Sequence, residues 1–316
     1  MALPRAEAIA SVAKAPIGSF SDVLLTALAP MSWGTTYMVA TEFLPPGHPL
    51  LVASLRSLPI GFLLIVGLRK LPKGIWWWRM LVLGGLNIGL FQALLFVAAY
   101  RLPGGVAATA GAIQPLLVVL FSWLILSEKP GRQSVLAAIA GFMGVGLLVL
   151  GPSARLDAVG LLAAIAGAVA MGLGTVLTKR WQPPVSLIVF TAWQLAIGGL
   201  MLLPIALMVE GPITELSRTS LWGFVYLGVI GTALAYALWF RGIKRLKTSS
   251  VAALGLMSPV VATLIGYLFL QQTLTPVQLL GVVVVLGSVL LGQQTRPLHQ
   301  CSPTLRQDTS IHHPLD

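Results

Sequence analysis

Long apolar stretches alternate with short breaks rich in Gly, Pro, Lys and Arg along almost the whole chain. A helix needs about 20 apolar residues to cross the hydrocarbon of a bilayer. Ten stretches meet that length: 22–41, 49–68, 78–99, 104–126, 133–151, 157–178, 185–208, 220–240, 248–270 and 276–293. The pattern predicts an all-α polytopic membrane protein with ten transmembrane helices. Runs of small residues, such as GGLNIG at 84–89 and AIAGAVAMGLG at 164–174, give helices room to approach, which lipid-embedded packing requires.

The pattern is also written twice. The stretch from Leu102 to Glu128 returns without gaps 144 residues later, aligning Gly111 with Gly255, Pro115 with Pro259 and Leu120 with Leu264. The same offset aligns Trp78 with Trp222, Gly84 with Gly228, Phe96 with Phe240 and Arg101 with Arg245. Apolar bias alone does not place Trp, Gly and Pro in common register, so the chain reads as a duplication. The first hairpins match at a neighbouring offset of 138, pairing Gly34 with Gly172, Pro45 with Pro183 and Gly61 with Gly199. Each copy holds five helices, an odd number, so the second enters the membrane from the opposite side as an inverted repeat. The expected organisation is an N-terminal tail at 1–21, a first repeat at 22–151, a second at 152–293 and a disordered polar tail at 294–316.

Composition agrees: of 316 residues, 57% are hydrophobic and only 9% are charged. The formal charge of +11 would suggest nucleic acid in a soluble protein, but these cations sit in the short breaks. The tails and the alternate breaks on their side hold sixteen Lys and Arg, the opposite breaks only Arg101, Arg155 and Arg218, and Arg56 lies inside a helix. That asymmetry predicts both termini in the cytoplasm of a bacterial inner membrane, with the lipid bilayer and no nucleic acid as partner. Cys301 stands alone, which excludes disulfides within the chain. No short apolar core with a small-residue cleavage site precedes the first long run, so no cleaved signal peptide is expected. A monomer satisfies the pattern, and the sequence specifies no oligomer.

No metal-ligand spacing, nucleophile with a paired base or phosphate-binding glycine loop is present, so the sequence implies no enzyme, metal or cofactor. The chemistry lies instead in polar and aromatic residues within the spans. Trp33 and Tyr37 stand one turn apart on the first helix, and Asn87, with Gln92 near it, lies on the third. Gln114 precedes Pro115, Trp193 adjoins Gln194, Tyr236 and Trp239 share a face, and Ser258 precedes Pro259. Together they outline an aromatic, polar substrate pocket. Pro115 and Pro259 break helix hydrogen bonding at matching points of the two halves and serve as hinges. Arg56 has two readings: a cation anchoring a substrate carboxylate or tying a broken helix, and a side chain snorkelling to the interface toward Glu42. Asp22, Glu42, Glu128, Asp157, Glu210 and Glu215 all map to span ends or breaks. With no acid at mid-span to exchange protons for a cation, a neutral or zwitterionic substrate without obligatory proton coupling is expected.

The stretches SWGTTY, LVASLR with Arg56, AYRLPGGVAATAGAIQPLLVVLFSWLILSE and AYALWFRGIKRLKTSSVAALGLMSPVVATLIGYLFL resemble the drug/metabolite transporter superfamily, in particular its EamA-type exporters. The likeness spans about residues 22–293 and is greatest to exporters of aromatic amino acids. It implies alternating access through a central cavity, with amino acids, other metabolites or drugs as substrates. Members of that family end both copies of the motif with an acid; here Glu128 keeps the first, while Gln271 and Gln272 stand at the second.

Overall fold

The computed structural model describes residues 19–102, 110–149, 157–213, 215–269 and 275–293. Among them every regular element is helical. In chain order these are α1 (Phe20–Gly34), α2 (Thr36–Phe43), α3 (Pro49–Leu68), α4 (Trp76–Gly84), α5 (Phe91–Arg101), α6 (Gln114–Leu126), α7 (Arg132–Val149), α8 (Ala158–Trp181), α9 (Leu187–Glu210), α10 (Arg218–Gly228), α11 (Ala235–Arg245), α12 (Thr248–Leu254), α13 (Met257–Phe269) and α14 (Pro276–Gln293). Two π-helical segments, Gly85–Leu90 and Val229–Leu234, join α4 to α5 and α10 to α11.

Eight described helices or helix pairs are long and apolar enough to span a bilayer, and the apolar helices at Gln114–Leu126 and Arg132–Leu147 are shorter. Residues 104–109 at the start of the expected fourth span, the boundary at 150–156, Gln271, Gln272 and residues 1–18 and 294–316 of the tails lie outside the described residues. Large apolar side chains such as Phe62, Leu124, Leu162, Met208 and Leu290 point outward from the bundle, as a lipid-facing surface requires.

Element boundaries recur at the offsets read from the sequence. At 138, the start of α1 meets that of α8, the end of α2 that of α8, and the start of α3 that of α9. At 144, the two π segments coincide residue for residue, as do α5 with α11 and α7 with α14. Equivalent helices also pack on each other, α3 against α9 and α7 against α14, while α5 on α8 mirrors α11 on α1. Side-chain contacts exchange accordingly. A Cβ on Gly61 would strike the Ala196 backbone, and one on Gly199 would strike Leu58, the residue equivalent to Ala196. Likewise Gly144 lies against Val285, and Gly141 against Ser288.

Polar ties fix the two ends of the bundle. At one end the Glu210 carboxylate accepts from the Leu50 and Leu51 amides, at 2.8 and 2.9 Å, closing the open start of α3. Asp157 caps α8 by accepting from Gly160 N at 2.7 Å, and faces Arg101 at 3.7 Å. The other end gathers the basic side chains. There Asp22, only 1% exposed, meets Arg241 at 2.6 Å and Arg245 at 3.3 Å. Lys179 donates to the carbonyls of Ile243 and Leu246, both at 2.8 Å, satisfying the end of α11. Burial pushes the Lys247 ammonium below the ordinary lysine range, and nearby Glu128 opposes the fall.

Candidate functional site

Two interrupted helices meet in the middle of the bundle. A turn at 255–256 separates α12 from α13, and one at 112–113 precedes α6. In each case proline follows the break: Pro115 sits in the first turn of α6 and Pro259 in that of α13, where a missing N–H costs nothing. The matched prolines therefore sit beside matched interruptions.

A cavity of about 130 Å³ opens at this crossing. Its wall includes Trp33, Arg56, Gln92, Gln114, Tyr236, Trp239 and Ser258, together with Pro115 and Pro259. Trp33 packs 5.2 Å from both Tyr236 and Trp239, centroid to centroid, so three rings close one side of the cavity toward the Arg241 end. In the opposite direction the wall continues through Ala40, Ala98, Ala99 and Ala164 toward the Arg101 end. Two wall atoms, Thr36 Oγ1 and Trp239 Nε1, are buried without a hydrogen-bond partner among the described residues. They are a hydroxyl and an N–H that the packing of this state leaves unused.

Arg56 does not snorkel toward Glu42. It is 2% exposed, donates through Nε to Thr232 Oγ1 at 2.8 Å, and through Nη2 to the Gly231 carbonyl at 2.9 Å. Trp33 Nε1 donates to the same carbonyl at 3.0 Å. A π turn changes which carbonyls the helix itself satisfies, and Gly231 lies within one. The guanidinium therefore ties the interrupted α10–α11 rod to α3 while bordering the cavity, its charge facing the Phe96 ring at 5.8 Å. No carboxylate lines the cavity among the described residues.

A hydrogen-bonded row runs from the wall into the bundle. Ser57 Oγ donates to Gln92 Oε1 at 3.0 Å, Gln92 Nε2 to Tyr236 Oη at 3.4 Å, and Tyr236 Oη to the Asn87 carbonyl at 3.1 Å. The structure does not bring Asn87 and Trp193 to the cavity. Asn87 turns into the seam between the first π segment, α8 and α9, and Trp193 Nε1 donates to the Lys70 carbonyl at 2.7 Å. Position within a span did not reveal the neighbour each side chain faces, and Trp193 reaches the chain just past the end of α3. The Tyr37 side chain lies outside the described residues. Phe96 and Met171, which also line the cavity, had carried no weight as isolated apolar residues. Their signal was positional: Met171 is the repeat equivalent of Trp33.

The sequence pattern of the EamA-like transporter family matches residues 21–150 and again 158–292. The chain belongs to the EamA-like transporter family. The Protein PecM of Dickeya dadantii is 46% identical over 268 residues, covering 84% of this chain and 90% of its own. A probable amino-acid metabolite efflux pump of Salmonella typhimurium is 27% identical over 290 residues, covering 87% of this chain and 95% of its own. A solved crystal structure superposes with a TM-score of 0.73 at 21% identity, over 87% of this chain and 98% of that one, and shares the fold. As a member of the EamA-like family the chain is a multi-pass membrane transporter, and the cavity between its interrupted helices is its candidate solute site.

Proposed function

We propose that the chain exports amino acids, aromatic ones preferred, across a bacterial inner membrane by alternating access. The ten-span reading orients the second five-helix half opposite to the first, with the basic Arg241 end and both termini in the cytoplasm. One observation carries the substrate reading: a buried guanidinium, with no carboxylate lining the cavity among the described residues, shares that small cavity with Trp33 and the two rings tilted against it, Tyr236 and Trp239. Arg56 suits a carboxylate, and the faces of Trp33, Tyr236 and Trp239 suit a flat apolar side chain. The broken ends of α6 and α13 supply backbone groups to the same space. The amino-acid efflux named for the Salmonella typhimurium relative supports the same class.

The test is uptake of radiolabelled Phe, Trp, Thr and a sugar into liposomes holding purified, folded protein, with and without a pH gradient. Saturable Phe or Trp flux indifferent to the gradient is expected. Flux without saturation or trans-acceleration marks a passive channel instead, and gradient-dependent flux requires a proton site.

A further inference from the structure

We propose that Asn87, Thr175, Thr178 and Gln194 form a second solute-lining wall, closed in this structure and exposed when the cavity opens toward the Arg241 end. This rests on the alternating-access reading above.

The first observation is positional. At the offset of 138, Arg56 corresponds to Gln194, Ala40 to Thr178 and Thr36 to Gly174; at 144, Gly231 corresponds to Asn87. Contacts follow the same correspondence. Arg56, on α3, holds Gly231 and Thr232 of the second π segment. Gln194, on α9, holds Asn87 of the first, its Oε1 accepting from Asn87 Nδ2 at 2.8 Å. Thr178 Oγ1 accepts from the same nitrogen at 3.3 Å, and the Asn87 amide occupies the space where Gly174 has no Cβ. The same joint is therefore built twice. One copy borders the cavity, and the other is packed shut.

The second observation is chemical and does not depend on the repeat. Asn87 Oδ1, Gln194 Nε2 and Thr175 Oγ1 are buried without a hydrogen-bond partner among the described residues. Exchanging N and O in both amides still leaves one atom of each unused, because the pair meets through a single atom on each side. A seam that stayed permanently dry would be better served by apolar groups of the same shape. Groups solvated in another state explain why the donors and acceptors are kept. They are two amides and two hydroxyls without charge, suited to the polar head of a small zwitterion or amide by donating and accepting together.

Three equivalent pairs, Trp33 with Met171, Gln92 with Tyr236 and Gln114 with Ser258, all line the cavity already. They form the part shared by both states. What exchanges is the flank: Arg56, Thr36 and Ala40 on one side, and Gln194, Gly174 and Thr178 on the other.

Thiol accessibility tests this in the full-length chain with Cys301→Ser as background. Thr178→Cys, Thr175→Cys, Ala40→Cys and, as a packed control between α7 and α14, Val285→Cys are each treated with a membrane-impermeant methanethiosulfonate. Right-side-out and inside-out vesicles expose the two faces separately. Thr178→Cys and Thr175→Cys are expected to react from the face opposite to the one that modifies Ala40→Cys, at least about tenfold faster than Val285→Cys. Two small substitutions at neighbouring turns guard against one that does not fold. If both stay as slow as the control from either face while Ala40→Cys reacts from one face, the second wall is wrong and the carrier reading stands. If Ala40→Cys reacts equally from both faces, the carrier reading itself fails, and this inference with it.

Discussion

At the scale of single residues, Arg56 and the carbonyl of Gly231 set the character of the site. A buried guanidinium is retained where each hydrogen bond it makes is charge-assisted, and Arg56 makes two such bonds into a helix interruption while bordering the cavity. Arg56→Leu is expected to leave the protein insertable, since Trp33 still serves Gly231, but to raise the KM for a carboxylate substrate about 10- to 150-fold, as loss of a charged hydrogen bond of about 1.5–3 kcal/mol implies. Arg56→Lys keeps the charge without the planar fork and should fall between the two. Concentration-dependent flux in liposomes measures both. Trp239→Phe makes a different prediction because its indole N–H has no partner among the described residues. Removing it should weaken solute binding severalfold while thermal stability in detergent holds or rises by up to about 1 kcal/mol equivalent. A loss of stability with unchanged KM would assign the N–H to the fold instead. Sequence periodicity was informative here only up to a point. It placed Asn87 and Trp193 within spans, but whether a polar side chain faces the cavity or a neighbouring helix depends on the rotation of that neighbour, which one helix's spacing does not contain.

At the scale of elements, helix boundaries were largely legible, because the recurrence of Gly, Pro and Trp at fixed offsets is the recurrence of the elements themselves. The interruptions before α6 and α13 were legible too, through Pro115 and Pro259. The π segments were not: an extra residue in a helical turn changes backbone hydrogen bonding without requiring any distinctive side chain. Nor was the role of Glu210, which sits in sequence at the end of α9 yet closes the start of α3. Glu210→Ala is expected to cost about 1–2 kcal/mol, the range for loss of a helix cap, and to lower the unfolding midpoint by a few degrees. Scanning fluorimetry on the detergent-solubilised protein measures the shift, and Glu210→Gln should recover part of it because one amide can still be accepted.

At the scale of the whole molecule, the two ends of the bundle differ in how they are held. The Arg241 end is closed by a buried acid between two arginines and by Lys179 across two carbonyls, whereas the Arg101–Asp157 pair at the other end is half exposed and longer. Breaking a buried pair from one side leaves an uncompensated charge, so Asp22→Asn should favour the form open at the Arg241 end. The expected readout is slower modification of Ala40→Cys and faster modification of Thr178→Cys; unchanged rates in both would reduce Asp22 to a tie between α1 and α11.

The paired π segments also carry a historical consequence. They coincide residue for residue at the repeat offset, while the side chains that grip them have diverged from one another, arginine in one half and glutamine in the other. An irregular turn shared to the residue by two copies is an inheritance, so the ancestral gene carried it before it was doubled. On the proposed inverted orientation, the α3 and α7 surfaces of such a half-length ancestor, which now meet α9 and α14, would have been covered by a second copy inserted upside down. On the same reading, joining two such copies in one chain is what would free Arg56 and Gln194 to become different residues.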